Sequence, residues 1–177
     1  MHVSFAKNAR GAIPLHAVRA GDLKRWLATR PKREQVYLKS AEFAAKDGEL
    51  RLVPGAQGDV ASAVLGLGKG EDILALATFA EQLPAGIYRF ADVPEAQGGA
   101  NGALAWALGI YEFARYKKPK AKGAKLVLPA GVDGAEIARI AEGIFLGRDL
   151  INTPPNDMGP EELATAARDL AKKHGAT

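Results

Sequence analysis

The chain has 177 residues, of which 47% are hydrophobic and 25% charged, with no cysteine and a formal net charge of +4. This length suits one domain, or one domain with a piece of a second, and it is enough to bury a core without crosslinks. The composition excludes disulfides, zinc–thiolate sites and a cysteine nucleophile, and the lack of a signal-peptide pattern or a long apolar run predicts a cytoplasmic protein with no membrane span.

The first half of the chain combines short apolar segments with one helical pattern. Leu23 and the apolar residues three and four positions further on predict a short helix, with Asp22 as its cap. Residues 35–39 predict a strand, because Val36 and Leu38 alternate onto one face. Further strands are predicted at 13–18, 50–53 and 63–67.

The middle of the chain contains the most apolar helical pattern. After the glycine-rich segment 66–70, negative charge at Glu71 favours a helix start. That helix is predicted to end at Pro84, and a strand is predicted at 87–90. Residues 101–116 are apolar around nearly the whole circumference of a helix, which predicts a helix that is buried on most sides.

The last third of the chain has clear helix boundaries. A strand is predicted at 125–128 and helices at 134–152 and 160–174. Asp133 and Glu136 have the spacing of a capping box at the start of the first helix. Pro160 suits the first position of the second helix, and Gly175 suits the position after its end. Strands that alternate with helices predict an α/β fold with a mixed or mostly parallel sheet flanked by helices.

Few residues have the pattern of a catalytic or metal site. The three histidines, His2, His16 and His174, lie far apart in the sequence and form no metal-binding motif. Ser4 and Lys7 match the pattern Ser-x-x-Lys, but the motifs that accompany it in known enzymes are missing. We interpret that segment as an N-terminal loop or strand. The residue patterns alone therefore predict no complete active site.

Two glycine-rich segments, 66–70 and 98–102, could approach a ligand closely. Backbone N–H groups of the first could hold a phosphate. However, Glu71 stands where the dinucleotide fingerprint needs glycine, and Gly70 follows Lys69 where a Walker A loop needs serine or threonine. We interpret the first segment as a tight turn and the second as a flexible linker to the buried helix.

Basic residues are concentrated in two places. Residues 115–125 carry six cations and no carboxylate, so they could neutralise phosphates, with Tyr116 as one stacking ring. The Pro, Gly and Ala residues between the lysines favour an exposed loop instead. A second cluster surrounds the end of the first helix, where cations suit the helix dipole: Lys24, Arg25, Arg30, Lys32 and Arg33.

Three segments have the order and spacing of motifs found in one enzyme family. Residues 147–163, which contain the run Asn-Thr-Pro-Pro-Asn-Asp, closely resemble the segment through which the leucyl aminopeptidase (cytosol aminopeptidase) family enters its catalytic domain. Residues 108–117 are similar to a helix end in that family, and residues 65–69 to a strand and turn. The resemblance covers roughly residues 60–177, and the residues before them carry no motif of the family.

The resemblance implies a particular domain organisation and activity. It implies a macro-domain-like α/β domain over 1–132, a linker helix over 133–153 and the truncated start of a C-terminal catalytic domain over 154–177. The full-length protein would be a two-metal exopeptidase that releases N-terminal amino acids from peptides, using zinc, manganese or magnesium. It would pack against its own catalytic domain and assemble as a homo-hexamer.

The family's metal ligands and catalytic residues lie downstream of the motifs present here. We therefore expect no catalytic, cofactor-binding or metal-binding residue in this chain, and we do not expect Asn152 or Asp157 to be ligands. The chain is expected to be an N-terminal fragment that is inactive alone. The alternative is a stand-alone module that binds a nucleotide or ADP-ribose through its glycine-rich segments, or nucleic acid through residues 115–125.

Overall fold

A five-stranded sheet forms the centre of the protein, for which the computed structural model describes residues 3, 5–118 and 123–176. The strands are β1 (Ile13–Val18), β2 (Leu50–Pro54), β3 (Val60–Gly66), β4 (Gly86–Asp92) and β5 (Ala124–Leu126). Their order in the sheet is β2-β3-β1-β4-β5. β1 is parallel to β3 and β4, β4 is parallel to β5, and β2 is antiparallel to β3. The predicted α/β fold with a mixed sheet is therefore confirmed.

Helices cover both faces of the sheet. They are α1 (Leu23–Ala28), α2 (Lys32–Ser40), α3 (Ala77–Gln82), α4 (Gly99–Gly109), α5 (Gly134–Asn152) and α6 (Pro160–His174). Because side chains alternate along a strand, β1 contributes to two cores. Leu15 packs in one core with Phe79 of α3 and Trp106 of α4. Val18 packs on the opposite face with Leu38 of α2.

Helix α4 is buried on most sides, as its apolar pattern predicts. It begins at Gly99 and ends at Gly109, so the predicted helix over 101–116 is too long at its C-terminal end. Segment 98–102 is not a flexible linker, because Gly98 precedes the helix directly and the next residues form its first turn. A Cβ at Gly102 would lie 2.7 Å from the carbonyl oxygen of Gln97. Gly102 therefore serves close packing.

The predicted strand over 35–39 is wrong, because these residues lie in α2. Leu38 is buried whereas Val36 is largely exposed, so the two side chains do not share a face. The alternation of two apolar residues was too short to distinguish a strand from a helix. Pro31, which directly precedes α2, was the missed signal, since proline is tolerated at helix starts.

Helix α3 is shorter than predicted. Residues 73–76 form a turn before the helix begins at Ala77, and the Asp72 carboxylate accepts a hydrogen bond of 2.7 Å from the N–H of Leu74. The negative charge near residue 71 therefore stabilises this turn and not a helix start. At α1, Asp22 also differs from the prediction, since its carboxylate binds Arg25 and does not cap the helix.

Helices α5 and α6 have the predicted bounds. The carboxylate of Asp133 accepts a 2.8 Å hydrogen bond from the N–H of Ala135 at the start of α5. Glu162 accepts one of 3.0 Å from the N–H of Gly159 before α6, and Gly175 after α6 has a φ of +66°. Within the described part of the chain, no helix is both long and apolar enough to span a membrane.

Candidate functional site

The segment after α4 is attached to α5 through one tyrosine. The hydroxyl of Tyr111 donates a 2.8 Å hydrogen bond to Asp149 and accepts one of 3.1 Å from the side-chain amide of Asn152. Its ring lies 5.2 Å from the ring of Phe145, and the guanidinium of Arg148 lies 5.3 Å from its centroid. Burial and the bond to Asp149 raise the pKa of Tyr111. The neutral phenol of Tyr111 therefore holds segment 108–117 against segment 147–163, which are two of the three segments that resemble the aminopeptidase family.

A second tyrosine reaches the turn beyond α5. The hydroxyl of Tyr116 donates a hydrogen bond to the carboxylate of Asp157. Asn152 and Asp157 thus each bind a tyrosine hydroxyl, which gives both residues a positioning role. The sequence motifs indicated their importance but not these partners, which lie about forty positions away in the chain.

The turn between α5 and α6 is compact. The buried hydroxyl of Thr153 donates a 2.6 Å hydrogen bond to the carbonyl oxygen of Asp149 in the last turn of α5. The N–H of Asp157 donates to the carbonyl oxygen of Pro154 at 2.9 Å. Pro154 and Pro155 prevent the helix from continuing. The chain direction therefore changes at a defined turn, here called the junction (residues 153–159).

Apolar side chains are exposed on both helices that the junction connects. Ile151 of α5 is 85% exposed, and Leu163 of α6 is 52% exposed. Further exposed apolar side chains on these helices are Ile140, Ile144 and Leu170. A cavity of about 750 Å³ opens between the helices and is lined in part by Phe113, Leu146, Leu150 and Met158. An exposed apolar surface of this kind is typical of an interaction site.

A polar cluster lies on the sheet, where β1 and β4 end. Nδ1 of the buried His16 lies 2.8 Å from Oδ2 of Asp92. The same oxygen accepts a 3.3 Å hydrogen bond from the indole N–H of Trp26. It also forms an ion pair with the Arg30 guanidinium at 3.0 Å. The Arg30 guanidinium also lies 5.1 Å from the centroid of the Trp26 ring. Asp92 thus ties α1 to the edge of the sheet.

The pKa values of this cluster favour an ionised Asp92 and a neutral His16. Burial lowers the pKa of His16 below 6.5, and the opposing attraction of Asp92 does not cancel this effect. Burial alone would raise the pKa of Asp92, but the hydrogen bond from Trp26 and the positive charge of Arg30 lower it overall. Nδ1 of His16 therefore carries the proton of the neutral ring, and this N–H donates a hydrogen bond to the carboxylate.

We expect His16 to make the chain less stable as the pH falls below about 6.5. In the unfolded chain His16 takes up a proton near that pH, whereas in the folded chain its lowered pKa keeps it neutral. The unfolded state then binds more protons, and the free energy of unfolding decreases by at most about 1.4 kcal/mol per pH unit. Urea denaturation of the wild type and His16→Gln at several pH values measures this slope.

The His16→Gln variant is expected to lose less stability between neutral and mildly acidic pH than the wild type. The carboxylates other than Asp92, which binds His16, have the same surroundings in both proteins, so their contribution cancels in the comparison. The lowered pKa of Asp92 keeps its titration below this pH range. Equal slopes in the two proteins would contradict the assignment of a lowered pKa to His16.

The glycine-rich segment 66–70 forms a turn in which the glycine N–H groups are hydrogen-bonded to carbonyl oxygens of the protein. The N–H of Gly66, Gly68 and Gly70 donate to the carbonyl oxygens of Glu49, Ala45 and Leu67, respectively. A Cβ at Gly66 would lie 2.2 Å from the carbonyl oxygen of Lys46, so another loop packs directly on this segment. The interpretation as a tight turn is confirmed.

Three arginines of the basic cluster at the first helix are bound to partners within the protein. Arg25 binds Asp22 at 2.8 Å, Arg30 binds Asp92, and Arg33 donates to the carbonyl oxygen of Gly55 at 2.6 Å. Of the other basic segment, residues 119–122 lie outside the described residues, as do Ser4 of the Ser-x-x-Lys match and His2.

No group of three or more His, Asp or Glu side chains comes together in residues 3, 5–118 and 123–176. These residues do not provide a ligand set for the metals that the family resemblance implies.

Sequence reasoning missed the cluster around Asp92. The available signal was positional, because His16 lies near the end of one strand and Asp92 ends another. The carboxyl ends of neighbouring parallel strands meet at one edge of a sheet. This inference requires that β1 and β4 are neighbours, and the order of strands was not known from the sequence.

Comparisons with known proteins identify the same architecture in cytosol aminopeptidases. Residues 13–129 match the family description "M17 aminopeptidase, N-terminal domain". A probable cytosol aminopeptidase of Afipia carboxidovorans is 31% identical over 183 residues, covering 89% of this chain and 35% of the relative. The crystal structure of cytosol aminopeptidase from Coxiella burnetii has a TM-score of 0.79 and 31% identity, covering 96% of this chain and 37% of that one.

A further match is the bottromycin maturation enzyme BotP in complex with Mn, with a TM-score of 0.67, 25% identity and coverage of 92% of this chain and 36% of that one. The chain spans between 19% and 35% of the length of the curated relatives it matches.

A mixed sheet covered by helices and followed by α5, the junction and α6 is thus the architecture of the N-terminal part of an aminopeptidase. The chain belongs to the M17 aminopeptidase family, and it corresponds to the N-terminal domain of these peptidases together with a segment C-terminal to that domain. The alternative of a stand-alone binding module is not favoured, because the structural match covers 96% of the chain and so extends beyond the α/β unit.

Proposed function

We propose that this chain is the non-catalytic N-terminal portion of a leucyl aminopeptidase, and that it positions a catalytic domain joined through α5 and the junction. The structural match to the C. burnetii enzyme carries this proposal, since it covers nearly all of this chain but only 37% of that enzyme. The exposed apolar side chains of α5 and α6 support it, because a catalytic domain packed on them would remove them from water.

The proposed division assigns 1–132 to the α/β domain, 133–153 to the linker helix and 154–177 to the start of the catalytic domain. The two halves of α5 support a linking role. Ile137 and Phe145 are buried against α4, whereas Ile151 near the end of the helix is exposed. One rigid helix thus belongs to the core of the first domain and extends beyond it.

The proposed parent enzyme releases N-terminal amino acids from peptides with two divalent metals bound outside the described residues. The metals are zinc, manganese or magnesium, and the structure of BotP with Mn supports manganese as one candidate. No residue of this chain is assigned a catalytic, cofactor-binding or metal-binding role. We further propose a cytoplasmic location for the parent, in line with the cytosol aminopeptidases among its relatives. A homo-hexamer is proposed from the family resemblance alone.

A chimeric enzyme tests this proposal. The chain replaces the matching N-terminal segment of the C. burnetii enzyme, and hydrolysis of leucine p-nitroanilide is measured with added Mn²⁺. We expect turnover by the chimera and none by the chain alone, because the described residues hold no ligand set for a metal. Turnover by the isolated chain, or an inactive chimera that is correctly folded, would contradict the proposal.

Two matched variants of the chimera test the contact surface. Ile151→Asp places a charge on the face proposed to contact the catalytic domain. Val36→Asp, the control, places the same charge on another helix, α2, at a position that is 57% exposed. Burying an unpaired charge is costly. We expect Ile151→Asp to reduce activity about tenfold or more and Val36→Asp to leave it unchanged. Equal activities of the two variants would exclude α5 from the contact.

A further inference from the structure

A crevice of about 620 Å³ opens at the edge of the sheet where β1 and β4 end. The chain leaves β1 toward the β3 side of the sheet and leaves β4 toward the β5 side. Ligands of open α/β sheets bind at such a point, outside the carboxyl ends of the strands. The volume lies within the range of small-molecule sites. None of the residues lining the crevice belongs to α5 or α6, so this region is separate from the proposed contact surface.

Three arginines and two aspartates line the crevice: Arg19, Arg25, Arg30, Asp22 and Asp92. Arg25 is paired with Asp22 and Arg30 with Asp92. Arg19 forms no ion pair with a carboxylate of the described residues, so one positive charge is left uncompensated. Nε of Arg19 is buried and has no hydrogen-bond partner in the described part of the structure.

The side chain of Arg19 is held in place by a glycine turn. It lies across Gly70, where a Cβ would be only 2.4 Å from Nε and where φ is +76°. The carbonyl oxygen of Gly70 accepts a 2.9 Å hydrogen bond from the side-chain amide of the fully buried Gln97, so this turn is itself held by a second segment of the chain. Buried polar atoms are normally hydrogen-bonded, so the unpartnered Nε–H of Arg19 indicates that an acceptor group is missing beside this side chain.

We propose that this crevice binds a small anion, which presents a carboxylate or a phosphate group to Arg19. The guanidinium has the planar, two-pronged geometry that matches both groups. Arg25 and Arg30 flank the site but are neutralised by Asp22 and Asp92, so its net positive charge comes from Arg19. Trp26 forms part of its wall.

The two tryptophans of the chain allow a direct test. The indole N–H of Trp26 binds Asp92 at the crevice, whereas Trp106 is buried in the core. Inorganic phosphate and, separately, acetate are titrated into ¹⁵N-labelled protein at constant ionic strength, and both indole signals are followed by NMR. We expect the Trp26 signal to move saturably with at least one of these anions and the Trp106 signal to stay. Which anion binds identifies the group that is recognised.

Variants of the arginine decide whether the response is specific. Arg19→Gln is expected to weaken binding about tenfold or more. Arg168→Gln, which removes the same charge from an exposed position of α6, is expected to leave the affinity unchanged. An unchanged Trp106 signal verifies that Arg19→Gln is folded. If it unfolds, Arg19→Lys takes its place, and this variant is expected to bind more weakly because the two-pronged geometry is lost.

Two results would overturn the proposal. One is a Trp26 signal that moves with neither anion at concentrations that would saturate a site of about 1 mM affinity. The other is an equal response of the Arg19 and Arg168 variants, which would show diffuse screening of positive charge.

Discussion

Replacing Trp106 by alanine is expected to lower the free energy of unfolding by about 3–5 kcal/mol, the largest effect of any single substitution considered for this protein. Trp106 is only 1% exposed and lies in the core between the sheet and helices α3 and α4. Its ring is 6.1 Å from that of Tyr88 on β4. Alanine would leave a cavity that these rigid elements cannot fill by collapsing.

Chemical denaturation of the chain measures this loss, with Ile151→Ala as the control. Ile151 is also a large apolar residue in a helix, but it is exposed, so its truncation in the isolated chain is expected to change stability by less than about 0.5 kcal/mol. A similar loss in both variants would show that burial of Trp106 does not determine its contribution.

The second large effect is expected from one added methyl group at Gly109. A Cβ there would lie 2.3 Å from the carbonyl oxygen of Ala77, at the point where α4 packs on α3. Backbone atoms cannot move aside as a flexible side chain would. Gly109→Ala is therefore expected to destabilise the chain by about 2–3 kcal/mol.

The substitution Gly143→Ala is expected to change the free energy of unfolding in the opposite direction. This glycine lies in α5, and apart from the neighbouring backbone of the helix itself nothing in the described structure would come within 4 Å of its added Cβ. Alanine there is expected to stabilise the isolated chain by about 0.5–1 kcal/mol, because it has the higher helix propensity. Thermal or urea unfolding of both variants checks the pair. Stabilisation by Gly109→Ala would contradict the close packing of α3 and α4.

Helices α5 and α6 show which parts of the fold could be predicted from the sequence. Their ends coincide with the predicted ends because local groups determine them: Asp133 caps α5, and Gly175 takes the left-handed conformation after α6. α2 shows the opposite case. Its alternation of Val36 and Leu38 fits a strand locally. Apart from Pro31 before the helix, packing of Leu38 in the core against the sheet is what favours a helix. For short segments, tertiary contacts outweigh local propensity.

The same distinction between local and tertiary information applies to the functional surfaces. The run at 147–163 was sufficient to indicate the family, since consecutive residues at fixed spacing carry it. The partners of Asn152 and Asp157 were not predictable, because Tyr111 and Tyr116 come from another segment of the chain.

The sequence by itself thus determined the class of fold, the ends of the long helices and the relationship to aminopeptidases. Only the tertiary structure decided which strands are neighbours, and this places His16 beside Asp92 and leaves Arg19 without a carboxylate partner in the described residues. The physical reason is the range of the interactions. Caps and turns act over a few residues, whereas a site at the end of parallel strands depends on the order of the whole sheet.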